Sequence, residues 1–388
     1  MPSSKALDII WRMDLLIAIV CPVLLGMANP LAGQPRFETV ITIGLSEQQG
    51  PEYLFVRPDF VVADARGDIY VADSGTLDIR RFSKDGHFLA SYGHQGSGPG
   101  EFEAITSMTI SAQQELVIYD AKMRRITVID TRTDGVRTVP FDSAIWPKRL
   151  LQLSEAGQWL MLAKTSSHDA GSAALADQML HLSDSSFHLI HSTGSYSDLG
   201  SEDSFHDIAI QNHPGSVAYQ NGKIYHAPGV YAGMIYEYAL NVHQQWLKQR
   251  SFHSRSYVSP LVESYRSEEF DPANMLRSIR IIPSETGDMQ RLDLIGRSNS
   301  QSAGLFPFGS EGLIHFVMFA PDTTAALLAV EVFDHHGALI FSQNLVDKFK
   351  DWPTRPTVLV AWKDHEDMFY LINRNGIPHI EVARLVIP

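Results

Sequence analysis

The chain has 388 residues, 44% hydrophobic and 19% charged, with a formal net charge of −13. This composition describes a globular protein with enough apolar mass for a core and excludes a disordered one. The negative balance argues against nucleic acid or an anionic membrane surface as a general partner, because both are bound through basic patches that release counterions.

The first element is an apolar run from Leu15 to Ala28, preceded by Lys5 and Arg12 and closed by Gly26 and Ala28. At about fourteen residues it is short for a spanning helix, which needs roughly 20. Residues 1–33 therefore read as a secretory signal, cleaved at Ala28, Ala32 or Gly33, with an uncleaved membrane anchor as the alternative. The expected location is exported, periplasmic or extracellular, and a membrane is a partner only if the segment is retained. Cys21 is the single cysteine and lies inside this run, so the mature chain would hold no disulfide. Ile19 and Val20 are too bulky to favour lipid attachment there.

Residues 41–73 return as residues 90–121, with Gly44 over Gly93, Pro51 over Pro99 and Asp73 over Asp120. An offset of about 47 residues is one blade of a β-propeller. Tight turns mark the strands, because hairpins demand a positive φ that Gly, Asn and Asp tolerate cheaply. Asp64 to Gly67 lies between FVVA and DIYVAD and Ser83 to Gly86 between DIRRF and HFLASYG, which gives four short strands over residues 59–92. The same alternation predicts further blades near 105–139, 149–192, 216–251, 305–343 and 357–386. The last has three strands at the C-terminus, and the segment 37–43 stands ahead of blade one as an outer strand without a blade. The expectation is an all-β, six-bladed β-propeller over 37–388, its last blade closed by that N-terminal strand, which removes the open sheet edges.

Stretches 164–177, 194–214 and 254–303 do not fit the repeat and read as insertions, which on repeat folds gather on one face. In the longest, Leu261, Tyr265, Met275, Leu276 and Ile279 allow a helix on each side of Pro272.

The passages RPDFVVADARGDIYVADSGTLDIRRFSKDGHFLASYG (57–93) and GSGPGEF (96–102) resemble the NHL-repeat family of β-propellers in its bacterial, six-bladed, exported form. The resemblance is specific over blades one and two and rests on turn spacing beyond Phe141. It implies an extracellular sensor or interaction domain. Related six-bladed rings include lyases and paraoxonase-like enzymes with their chemistry on channel-facing loops, often around a metal.

GHQGSGPGEF (93–102) is glycine-rich, but a phosphate loop must open a helix and here a strand follows, so it reads as a connection between blades. Asp73 and Asp120 end second strands and read as structural acceptors of backbone N–H groups. Among sixteen histidines, His206, His213 and His226 are the best metal set, yet their spacing matches no standard signature; His335 and His336 read as a solvated outer turn. No cofactor or metal is assigned, and there is no G-x-S-x-G elbow or mature thiol nucleophile.

The remaining signal is a recurrence of cations beside proline before innermost strands: Arg57-Pro58, Pro147-Lys148-Arg149 and Arg355-Pro356. Arg57, Lys148, Arg149 and Arg355 are the candidate binding residues, expected at one channel mouth and suited to an anionic group. The competing reading is that proline sets the start of each blade while the cations pair with neighbours such as Asp59 and Asp351. The function expected is a non-enzymatic binding module for a protein, peptide or glycan through the loop face and channel mouth, with no nucleic acid partner. The alternative is a metal-assisted lyase or hydrolase at the channel.

Overall fold

Runs rich in Val, Ile, Tyr and Phe form strands because their branched or flat side chains pack on a pleated surface. In a computed structural model of the chain, described at residues 33–45, 50–141, 143–153, 157–165, 178–195, 215–229, 231–243, 245–258, 261–263, 276–283, 289–297, 299–320, 326–345 and 358–388, these runs make seven antiparallel sheets. Strand β1 (Arg36–Ile43) comes first. Blade 1 follows as β2 (Pro58–Ala63), β3 (Ile69–Asp73), β4 (Asp78–Phe82) and β5 (Phe88–Tyr92). Blade 2 is β6 (Ile105–Ile110), β7 (Glu115–Asp120), β8 (Arg125–Asp130) and β9 (Val136–Pro140). Blade 3 is β10 (Ile145–Gln152), β11 (Trp159–Thr165), β12 (Gln178–Ser183) and β13 (Leu189–Ser195). Blade 4 is β14 (Ser216–Gln220), β15 (Lys223–Ala227), β16 (Met234–Leu240) and β17 (Trp246–His253). A small sheet follows, β18 (Leu261–Glu263), β19 (Leu276–Pro283) and β20 (Met289–Arg297), in the order β18-β20-β19. Blade 5 is β21 (Ser300–Phe308), β22 (Gly312–Phe319), β23 (Leu327–Phe333) and β24 (Leu339–Asn344). Blade 6 is β25 (Val358–Lys363), β26 (Met368–Asn373) and β27 (His379–Val386), completed by β1. The protein is thus an all-β, six-bladed β-propeller, and a 3-10 turn at Pro51–Tyr53 is the one helical element among the described residues.

The closing pair runs antiparallel from Arg36↔Val386 to Ile43↔Ile380, with one irregularity between Thr39 and Ile41. Phe37 anchors it, its ring 5.6 Å from that of Phe316 and 5.7 Å from that of Phe369. The apolar interior is divided into clusters between successive blades: one joins blades 6 and 1 through Ile43, Phe55, Val61 and Ile372, another blades 5 and 6 through Phe316, Val330, Val360 and Leu371. The remaining four interfaces are filled in the same way. The innermost strands β2, β6, β10, β14, β21 and β25 neighbour one another in sequence around the axis.

The early repeat has a packing cause. Gly44 and Gly93 both end an outer strand with positive φ (97° and 75°). A Cβ on Gly44 would lie 2.7 Å from the ring of Phe55, and one on Gly93 would meet that of Phe102, so each glycine lets the next linker's phenylalanine close over the strand end. Glu101 accepts the Gly98 N–H at 2.7 Å, and β6 follows, as a connection between blades requires. The buried Asp73 accepts the N–H groups of Val56, Arg57 and Gly75 at 2.7, 2.8 and 2.9 Å. Asp120 does the same for Glu103 and Ala104 before its blade and Lys122 and Met123 after it. These carboxylates therefore hold the incoming linker as well as the following turn.

Two expectations are corrected. Leu276 and Ile279 lie in β19, not a helix, because Leu276–Pro283 carries three isoleucines and pairs along its length with β20. Blade 5 begins at Ser300, inside the stretch assigned to an insertion, because Ser300, Gln301 and Ser302 are polar yet buried. Ser302 Oγ lies 2.9 Å from Ser216 Oγ and 3.0 Å from His315 Nε2, which satisfies it inside the fold. Residues 1–32, and with them the expected signal, lie outside the described residues.

Replacing Asp73 by Ala removes the buried acceptor shared by the Val56, Arg57 and Gly75 N–H groups and is expected to cost about 1–3 kcal/mol. Chemical denaturation of wild type and Asp73→Ala checks this, and a loss under ~0.5 kcal/mol contradicts it. A pH effect comes from buried histidines. His181 is fully buried, and burial holds its pKa down at about 4 against an ordinary 6.5; burial likewise lowers His315, partly offset by Glu331. Both are neutral in the fold and basic once unfolded, so their stability contribution is complete above pH 6.5 and is lost as pH falls from 6.5 towards 4. Urea midpoints at pH 7.5 and 4.5 should show that loss, and His181→Gln should reduce it.

Candidate functional site

The six innermost strands enclose a cavity of ≈ 230 Å³ on the propeller axis. All six contribute to its wall, through residues such as Phe60, Met108, Arg149, Tyr219, Leu305 and Trp362. A β-bulge interrupts five of these strands; in the first three it falls at Asp59, Thr106 and Lys148. A bulge re-aims the neighbouring side chain. In blade 3 the residue just beyond it is Arg149, opposite Leu162 of β11, as Phe60 is opposite Ala72 of β3.

Arg149 reaches over blade 2 to blade 1, where its guanidinium carbon stands 5.8 Å from the centre of the Phe60 ring. It makes no hydrogen bond or ion pair among the described residues. Burial, then repulsion from Arg374, lowers its pKa to about 10, with partial relief from Asp59. The group therefore remains a cation at neutral pH. The nearest carboxylate is already engaged: Asp59 accepts from Arg57 Nε at 3.0 Å and from Arg374 Nη2 at 2.7 Å. Arg374 also donates to the Pro58 carbonyl at 2.9 Å. On the same wall, Trp362 Nε1 is buried without an acceptor among the described residues. Lys363 is held by Asp367 at 2.5 Å. Among these side chains, Arg149 and Trp362 are donors without an acceptor among the described residues.

Of the cations singled out in sequence, Arg149 lines the cavity, and Lys148 forms the bulge beside it with an interaction of its own. Arg57 is exposed and paired with Asp59, as the competing reading had it. Arg355 lies outside the described residues. Arg374 was missed; it follows Asn373 at the end of β26, where Asp73 and Asp120 end β3 and β7, so aligning strand ends across blades would have placed it near the mouth. Of the candidate metal ligands, His206 and His213 lie outside the described residues and His226 is buried in β15. No group of three or more His, Cys, Asp or Glu side chains suited to a metal occurs among the described residues. Nor is any helix among them long and apolar enough to cross a membrane.

Two solved structures share this architecture at low sequence identity. One is a Bacteroides fragilis NCTC 9343 protein described as a candidate exported protein, with 12% identity, a TM-score of 0.50 and coverage of 92% of this chain and 98% of that one. The other is a member of the duf4221 family from Bacteroides vulgatus ATCC 8482, with 9% identity, a TM-score of 0.51 and coverage of 92% and 99%. Both likenesses bear on the fold. No curated protein matches the chain. A family model described as a 6-bladed beta-propeller, DUF5128, matches residues 52–270, more than half of the sequence; that description rests on blade number, not on NHL repeats. With the closed ring of four-stranded blades, this match places the chain in the DUF5128 family of six-bladed β-propellers.

Proposed function

We propose that the protein is an exported binding module whose recognition site is the central channel, with Arg149 as the charge that selects an anionic ligand. The observation that carries this reading is a half-buried guanidinium with no hydrogen bond among the described residues, in a cavity bordered by all six blades. Such a group costs stability in the free protein, and a ligand oxygen would relieve that cost. Of the ligands expected from sequence, a cavity of ≈ 230 Å³ suits the end of a peptide better than a folded protein, and it also suits a small molecule, which was not among them. The apolar run from Leu15 to Ala28 supports export, and the NHL-like passages of blades 1 and 2 support an interaction role over a catalytic one.

Arg149→Met is expected to leave the fold intact and raise its stability by about 1–3 kcal/mol, because it removes a charge that the structure leaves unpaired. A purely structural arginine predicts the opposite sign, which thermal melts of both proteins decide. In the same melts, a panel of small organic and inorganic anions should raise the Tm of wild type and leave Arg149→Met unmoved. No anion-dependent shift in either protein contradicts the channel as a site. Mass spectrometry of the exported protein should show a chain starting just after Ala28, Ala32 or Gly33.

A further inference from the structure

We infer that the ligand of this channel is a monocarboxylate with a compact, apolar body, its carboxylate on Arg149 and its body lodged between Leu305, Trp362 and the edge of Phe60; this rests on the channel reading above. The wall behind Arg149 supplies the argument. Met108, Leu150, Leu305 and Val360 are aliphatic, and Phe60 and Trp362 add flat faces. The hydroxyls there are few, those of Thr109, Ser216 and Tyr219, and Ser216 Oγ is already bonded to Ser302 Oγ. A glycan needs many polar partners and would leave its own hydroxyls unsatisfied against this surface.

The number of cations discriminates among anions. A phosphate monoester carries close to two charges and is held by several donors, commonly a helix N-terminus or a nest of amides. The lining here is strand throughout, and the three other cations near it are engaged, Lys363 with Asp367, Arg374 with Asp59 and Lys148 in an interaction of its own. One guanidinium fork matches one carboxylate in charge and geometry. Size agrees: an apolar cavity of ~150 Å³ holds one benzene, so ≈ 230 Å³ accepts a ring with a short acid arm. The ring of Phe60, 5.8 Å from the guanidinium, keeps that cation in place for an incoming carboxylate.

The same chemistry is offered by a free aryl or branched-alkyl acid and by the carboxy-terminus of a peptide ending in an aromatic residue. Calorimetric titration separates them, with acetate, benzoate, 3-phenylpropionate, 3-phenylpropionamide, inorganic phosphate, and a tripeptide ending in Phe with a free or amidated terminus. The expected result is at least tenfold tighter binding of 3-phenylpropionate than of acetate, phosphate or the amide. Arg149→Met should abolish the preference for acid over amide while still binding the amide, which also shows that the variant is folded. Arg149→Lys should retain part of it. A free-acid tripeptide matching 3-phenylpropionate assigns the peptide source, and a weaker one assigns the free acid. Acetate or phosphate binding as tightly as 3-phenylpropionate overturns the apolar body and leaves the anion site standing. No binding by any of these probes overturns both.

Discussion

The constraint from which everything else follows is that each blade of this ring is apolar on both faces and has only its two neighbours to cover them. No layer stacks on another. The interior is instead split into six wedges, each shared by adjacent blades. A gap anywhere would expose two faces and an unpaired strand edge, so the ring must close. Closure is assigned to β1, which crosses the whole sequence to pair with β27 and brings Phe37 into the wedge of blades 5 and 6. The channel is a by-product of this geometry, because six innermost strands cannot all meet on the axis.

Linkers between blades meet a common difficulty, since they bury backbone donors and carbonyls where no strand is available to pair with them. The chain answers with charged side chains of both signs. Asp73 and Asp120 accept linker N–H groups, while Arg80 donates to the Glu52 and Leu54 carbonyls and Arg125 to those of Ser97, Gly98 and Glu101. Beyond blade 4 the same function passes to Glu331, which is fully buried and accepts from Ser254 Oγ and from the N–H groups of Arg255 and Ser256. The repeat fades in sequence there because the task is kept while the residue that performs it changes.

This explains what could be read from sequence. Turns were legible because positive φ restricts the residue: Asn221 and Gly222 join β14 to β15 with φ of 52° and 75°. The closing strand was legible by counting, since one blade lacked a strand and one strand lacked a blade. The start of blade 5 was not, because Ser300 and Ser302 are buried polar residues satisfied by partners outside their own strand, Ser300 by the Val258 backbone and Ser302 by Ser216 and His315. The same limit applies at the channel. The pattern before the innermost strands pointed to Arg57, Lys148 and Arg149 alike, but only the fold decides that Asp59 is taken up by Arg57 and Arg374 and leaves Arg149 aside.

That asymmetry is the reason to assign Arg149 a role in binding. Arg80, Arg125 and Arg250 are also drawn into the protein, and each is satisfied by named acceptors; Arg250 donates to Glu237 Oε2 at 2.7 Å and to the His336 carbonyl at 2.7 Å. The fold can evidently supply partners to a half-buried guanidinium. At Arg149 it supplies an aromatic ring, a repelling arginine and only the distant relief of Asp59, with no hydrogen bond among the described residues. Burial costs a cation a great deal unless something compensates, so a residue serving stability alone would do better as Met or Leu. A cation held in the wall of an apolar cavity without an acceptor among the described residues is the ground on which the proposed carboxylate ligand rests.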